Sequence, residues 1–310
     1  MGIFKLDFKC KDYIWGGDRL IKEYGIKADG EICAEAWVLS GHKDGISTVA
    51  DGIYKGQTLA EVNAKHKILG KNCDKYKEFP ILIKLIDAKK SLSIQVHPDD
   101  AYALEHEGQY GKTEMWYIIA AEEGAFLYYG FEKEVSPDEL EERIKNNTLE
   151  EILHKEYVKT GDVVFIEPGT LHAIGAGIMV AEIQQSSNIT YRIYDYGRLG
   201  ADGKPRELHV EKALDVLKRE PAKKYVQKGE HLVECSYFCV DKADVKEGAS
   251  YEGNVDDSSF ASLLVIDGEC TISVSGDEIA ARKGESYLIE AGTGAYTISG
   301  NASVLITKVP

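Results

Sequence analysis

The chain has 310 residues, 44% of them hydrophobic and 29% charged, a make-up that excludes extended disorder and leaves room for two domains with cores of their own. With 52 acidic against 37 basic side chains the formal charge is −15, which argues against nucleic acid or anionic membrane as partners. A small anionic ligand would need a local cluster of Lys and Arg inside this negative field.

The N-terminal run Met1-Gly-Ile-Phe-Lys-Leu-Asp-Phe-Lys-Cys-Lys11 breaks its apolar pairs with charges and so has no signal-peptide core. No later stretch reaches the length of a membrane span, and the expectation is a cytoplasmic protein. The six cysteines, at 10, 33, 73, 235, 239 and 270, show no Cys-x-x-Cys spacing and read as reduced thiols.

In chain order, Ala34-Glu-Ala-Trp-Val-Leu-Ser-Gly41 reads as an early strand carrying Glu35. Thr58-Leu-Ala-Glu61 has the spacing of a helix capping box, predicting a helix to Leu69 with Gly70 as its stop. Residues 80–87 and 92–97 read as two strands, the second placing Leu92, Ile94 and Val96 on one side and Ser93, Gln95 and His97 on the other. Three polar groups on one strand face suggest a wet pocket. Pro98-Asp-Asp100 ends that strand and starts a short helix near residues 101–104, and Gly108 and Gly111 lead to a strand carrying Glu114.

Residues 136–155 differ in character. Ser136-Pro-Asp-Glu139 and Thr148-Leu-Glu-Glu151 both fit capping boxes, predicting a small helical insert. Strand signals return over residues 163–192, a helix is expected within 205–220 with Val210, Leu214 and Leu217 on one face, and Pro221-Ala-Lys-Lys224 is a candidate boundary. From about Lys228 to Pro310 short strands dominate, expected over 232–240, 260–266, 270–274, 286–289 and 304–309, a pattern that favours a sandwich or barrel.

The chain also repeats itself. Gly161-Asp-Val-Val-Phe-Ile-Glu-Pro-Gly-Thr-Leu-His172 aligns without gaps on Gly284-Glu-Ser-Tyr-Leu-Ile-Glu-Ala-Gly-Thr-Gly-Ala295, with Ala295 where the first copy has His172. Two copies of one β-architecture, one of which has lost a ligand, describe an active domain over 1–220 and a degenerate partner over 221–310.

Gln95, His97, Glu114 and His172 together offer two imidazoles, a carboxylate and an amide, a set that both zinc and iron(II) accept. The remaining histidines, at 42, 66, 106, 154, 209 and 231, lie among charged or helical residues and are expected at the surface.

The blocks Ser91-Leu-Ser-Ile-Gln-Val-His-Pro-Asp-Asp100, Gly111-Lys-Thr-Glu-Met-Trp-Tyr117, Pro168-Gly-Thr-Leu-His-Ala-Ile-Gly175 and Glu182-Ile-Gln-Gln-Ser-Ser-Asn-Ile-Thr-Tyr-Arg192, running on to Arg198, closely resemble the type I mannose-6-phosphate isomerases in their short bacterial form. The likeness covers most of the chain, Ala34-Glu-Ala-Trp37 included. It implies a mainly β, bicupin fold, with two jelly-roll barrels and the small helical insert. It also implies a zinc-dependent aldose–ketose isomerisation of a sugar phosphate through an enediol, with one zinc ion per chain.

Carried over residue by residue, it makes Gln95, His97, Glu114 and His172 the zinc ligands and Arg192 the catalytic arginine, with Ser93, Lys112, Glu182 and Arg198 at the substrate. Asn188 departs from the family, being acidic in longer members, and Pro168 falls one residue later than the cupin pattern puts it. The general base stays open between Glu182, Glu35 and a metal-bound water. The rival readings are a cupin iron(II) dioxygenase, which needs no basic pocket, and a sugar-phosphate-binding protein without turnover.

Overall fold

Alternation of side chains between two apolar clusters explains the central sheet of this computed structural model, which describes residues 2–200, 203–227 and 229–310. In the strand Ile81–Ala88 every residue is buried. Ile81, Ile83 and Leu85 enter one cluster together with Phe260, Leu264 and Leu305 of the C-terminal sheet. Ile86 and Ala88 enter another, with Trp116, Ile118, Val164 and Ile166. The neighbouring strands Glu114–Ala121 and Ile178–Gln185 alternate in the same way.

Three sheets result. The first has six strands, in the order Val163–Ile166, Glu114–Ala121, Ile178–Gln185, Ile81–Ala88, Glu35–Ser40 and Cys10–Lys11. Facing it is a five-stranded sheet ordered Tyr191–Tyr194, Ile94–Val96, His172–Ile174, Phe126–Phe131 and Leu153–Tyr157. Its outer face buries Ile94, Val96, Ala173, Tyr191 and Ile193 against Leu140, Leu149 and Ile152 of the helical insert and against Ala213 and Leu217. Ser93, Gln95 and His97 are thereby left on the inner face, as their alternation with Ile94 and Val96 predicts. The third sheet has nine strands and encloses its own apolar cluster, which includes Val265, Ile272, Tyr296 and Ile306. The chain is mainly β, as expected, and among the described residues no helix is long and apolar enough to cross a membrane.

The repeat appears in the backbone. Gly161 and Gly284 both take positive φ, 92° and 88°, as do Gly169 and Gly292, at 85° and 80°. These four positions suit glycine because other side chains rarely adopt that region. Each pair brackets a four-residue strand, Val163–Ile166 or Ser286–Ile289, and the next strand carries His172 in one copy and Ala295 in the other.

Several expectations need correction. The capping box at Thr58 is present, but its helix ends at His66, because Lys67 turns left-handed (φ 57°) and its N–H bonds back to Asn63 O before Gly70 is reached. Ser136 caps the helix Pro137–Lys145, whereas Thr148 makes no side-chain cap and leads only a 3₁₀ turn, Leu149–Ile152, that passes straight into a strand. The later helix is shorter than expected, Val210–Val216. The expected strands at 260–266 and 270–274 are one, Ala261–Val274, continuous through a register shift between Val265 and Asp267. Residues 232–240 form two strands, His231–Glu234 and Cys239–Val245, and Ser250–Val255 and Asp277–Arg282 add strands that were not anticipated. Lys228, the expected start of the C-terminal series, lies outside the described residues.

The N-terminal strand Ile3–Asp7 joins the C-terminal sheet, with Ile3 opposite Ile289 and Lys5 opposite Tyr287. Lys5 Nζ donates to Glu285 at 2.5 Å, and the same carboxylate accepts from Tyr287 Oη at 2.8 Å and from Arg282 N at 3.1 Å. Burial pushes the Glu285 carboxyl up, but the Lys5 and Tyr287 hydrogen bonds outweigh it and hold the group below its usual range. Its contribution to stability is therefore complete above the unfolded pKa, about 4.3, and is lost as pH falls through the folded value. Glu285→Gln should lower urea-unfolding stability at pH 7 by about 1–3 kcal/mol, and the gap should narrow as pH falls from about 5 into the acid range below the unfolded carboxyl value. A gap that stays constant over that range would contradict this assignment.

Candidate active site

Two facing sheets bring the sequence-predicted ligands together. His172 opens the strand His172–Ile174 directly opposite Gln95, and His97 follows the strand Ile94–Val96, so both imidazoles come from the five-stranded sheet. Glu114 opens its strand in the other sheet. The His97 and His172 Nε2 atoms lie 3.2 Å apart, and Glu114 carboxylate oxygens stand 3.3 Å from His172 Nε2 and 3.8 Å from His97 Nε2. All three side chains are essentially inaccessible. His172 Nδ1 lies 2.8 Å from Thr170 O and must donate to it, since a carbonyl only accepts, which leaves Nε2 with its lone pair facing the cluster.

This donor set fits a divalent metal. One ligand atom from each of the three residues lies within 4.8 Å of the others, and neither Glu114 oxygen has an aligned hydrogen bond. The Lys112 ammonium stands in as the local cation, 2.8 Å from Glu114 and 3.1 Å from His97 Nε2. Burial pushes Glu114 up to about 7, aided by the nearby Glu182 charge, and pushes His172 down to about 4. His97 falls as well, through burial first and then the Lys112 charge. Imidazoles kept neutral and a carboxylate whose charged form burial disfavours are what a metal cation relieves. Gln95 lies between His172 and Arg192 in register, and its Oε1 accepts from Ser93 Oγ at 3.3 Å.

Above this cluster opens a cavity of about 380 Å³ lined in part by Ser93, Gln95, Lys112, Glu182 and Arg192. One wall is a row of buried charges that the sequence reading missed in part. Lys84 Nζ lies 2.8 Å from Glu182 and 3.8 Å from Glu35, while the indoles of Trp116 and Trp37 donate to the same two carboxylates at 3.0 and 2.7 Å. Burial opposes charge on Glu182, but Lys84 and Lys112 outweigh it and hold the carboxyl down at about 2. Lys84 keeps its proton despite total burial, because Glu182 and Glu35 outweigh the cost of desolvation. A lone Lys in the run Ile81-Leu-Ile-Lys-Leu-Ile86 was the available signal, since a fully buried strand tolerates a charge only when it is paired.

The opposite end is cationic. Arg192 Nε donates to Ser93 Oγ at 3.1 Å and its Nη1 to Glu207 O at 2.9 Å. Arg206, not singled out from sequence, lines the cavity and is forked onto Asp195 at 2.7 and 2.5 Å. Arg198 binds the same carboxylate and the Ser91 carbonyl, and it is not among the residues lining the cavity. Burial raises the Asp195 carboxyl, but the Arg206 and Arg198 contacts win and hold it below the usual range. His42 is 4% exposed and packs edge-on against Trp37, which corrects its expected surface placement, while the half-buried His209 lines the cavity.

The chain resembles known proteins along nearly its whole length. Residues 3–122 match the family model of the phosphomannose isomerase type I catalytic domain, and residues 228–309 that of the mannose-6-phosphate isomerase cupin domain. A mannose-6-phosphate isomerase of Streptococcus mutans is 40% identical over 300 residues, which cover 94% of this chain and 93% of the relative. The crystal structure of the Bacillus subtilis mannose 6-phosphate isomerase superposes with a TM-score of 0.92 at 36% identity, covering 99% of both chains. A phosphomannose isomerase from Salmonella typhimurium, at 17% identity and a TM-score of 0.78 with 99% of both chains covered, shares the fold. With family matches towards both ends and relatives of this identity along nearly its whole length, the chain belongs to the type I phosphomannose isomerase family.

Proposed function

We propose that the protein interconverts mannose 6-phosphate and fructose 6-phosphate in the cytoplasm, using one zinc ion held by His97, Glu114, His172 and Gln95. The observation that carries this reading is a buried two-imidazole, one-carboxylate cluster lying directly behind Lys112, which lines the same cavity as Arg192 and Arg206. An oxygenase using the same ligands would have no need of that cationic end. The six free cysteines accord with a reducing compartment.

Moving a hydrogen between C1 and C2 of the open-chain sugar requires removal of a proton next to a carbonyl and its return to the neighbouring carbon through an enediol. Zinc supplies Lewis-acid polarisation of that carbonyl and charge to balance the developing oxyanion, without redox chemistry. Arg192, a permanent cation fixed through Ser93, stabilises the same negative charge from the side and is unsuited to act as a base. Lys84 holds its own proton at Nζ between Glu35 and Glu182, two carboxylates that line the cavity, and within this row Glu35 is the group left to take the sugar's proton and return it to the neighbouring carbon. Glu182, held at about 2, stays ionised and orients its neighbours rather than accepting a proton readily. Arg206, pre-set by its fork to Asp195, receives the phosphate, while Arg198 braces Asp195 from behind.

Purified protein should contain about one zinc per chain, and a chelator should abolish conversion of fructose 6-phosphate to mannose 6-phosphate in a coupled assay, with zinc restoring it. His97→Ala should lose both metal and at least roughly 100-fold in activity. Full activity in that variant, or a metal content dominated by iron, would contradict the proposal.

Arg206→Ala should leave the zinc content unchanged and raise KM for the sugar phosphate roughly tenfold or more, as loss of a charge-assisted hydrogen bond predicts. An unchanged KM in steady-state kinetics would remove Arg206 from the phosphate site.

A further inference from the structure

The C-terminal unit carries Ala295 where the first repeat has His172, so a direct ligand role is not its contribution. One of its turns nevertheless reaches the segments that carry the metal-site residues. Tyr237, between the strands His231–Glu234 and Cys239–Val245, donates its hydroxyl to Asp100 Oδ2 at 2.8 Å. Asp100 lies three residues beyond His97. Its Oδ1 accepts from Gly111 N and from Gln185 Nε2, each at 2.8 Å. Gln185, 2% exposed, passes the constraint on, because its Oε1 accepts from Thr113 N at 2.8 Å.

Gly111 to Glu114 is therefore gripped on both sides of Lys112. Two further backbone bonds close the assembly, Lys112 N to Pro98 O at 3.0 Å and Gly169 N to His97 O at 2.9 Å, the second tying in the turn before His172. The approach is so close that a Cβ on Gly111 would lie 2.4 Å from Asp99 C. Glycine is required there for space.

We propose that Asp100, held by Tyr237, is a positioning residue that locks the Lys112–Glu114 segment against His97, so that the C-terminal unit sets the spacing of the metal ligands. The inference rests on the reading of His97, Glu114 and His172 as a zinc centre. Asp100 needs its acceptor oxygens, not its charge: in Asp100→Asn, Oδ1 keeps both N–H donors and the new amide can donate to the Tyr237 oxygen.

The test uses full-length zinc-loaded protein and measures zinc affinity by chelator competition, kcat and KM for fructose 6-phosphate, and the thermal midpoint. Asp100→Ala should bind zinc roughly tenfold more weakly and lose kcat by a similar factor with KM nearly unchanged. Asp100→Asn should restore both, and Tyr237→Phe should fall between wild type and Asp100→Ala. Wild-type zinc affinity and kcat in Asp100→Ala, whatever its thermal midpoint, would overturn the inference, as would an Asp100→Asn variant no better than Asp100→Ala. A wild-type protein that binds no zinc would instead remove the functional reading on which it rests.

Discussion

The site depends on a six-stranded sheet buried on both faces. Because Ile83 and Leu85 are committed to the cluster shared with the C-terminal sheet, Lys84 and Ile86 must face the five-stranded sheet. The same alternation turns Glu114 and Glu182 inward while Met115 and Ile183 turn out. A slip of one residue in the Gln184–Glu114 pairing would put the carboxylate in the apolar interface and a methionine beside the imidazoles. The C-terminal sheet thus meets the site's framework twice, through the apolar face that fixes register and through the Tyr237 hydrogen bond to Asp100.

Electrostatics divides the cavity along its length. Behind the buried end His97, Glu114 and His172 gather around one cation, the Lys112 ammonium, and burial keeps both imidazoles neutral and raises Glu114. At the other end Arg192 and Arg206 line the cavity, and behind them the buried Asp195 carboxylate is shared between Arg206 and Arg198, so positive charge exceeds negative locally in a chain whose formal charge is −15. Between them Ser93 links Arg192 to Gln95 by hydrogen bonds. A ligand with a carbonyl at one end and a dianion at the other matches that gradient, which is how an acidic protein can accept an anionic sugar.

Much of this was readable in the sequence, and what was readable shared one property: a local period. The alternation through Ser93, Gln95 and His97, the capping box at Thr58 and the side-chain cap at Ser136 are set by neighbours two or three residues away, and each copy of the repeat that pairs His172 with Ala295 carries its own short run of turn glycines and strand. What escaped depends on distant pairing. The strand Ile3–Asp7 finds its partner nearly three hundred residues later. Lys84 is explained by Glu35 and Glu182 on flanking strands, Arg206 by Asp195 across a turn, and Asp100 by Gly111, Gln185 and Tyr237. The C-terminal strands were misdivided because Ala261–Val274 runs on past a bulge and Gly268, features that read locally as breaks. Thr148 shows the converse, a capping signal overruled when the chain entered a strand five residues on.

The central claim is that side chains from two facing sheets close around a single ion, and anomalous diffraction from crystals of the zinc-loaded protein tests it most directly. Data collected on either side of the zinc absorption edge should show one peak per chain, about 2.0–2.2 Å from His97 Nε2, His172 Nε2 and a Glu114 oxygen. A peak seated among other residues, or those three side chains turned away from it, would contradict the account.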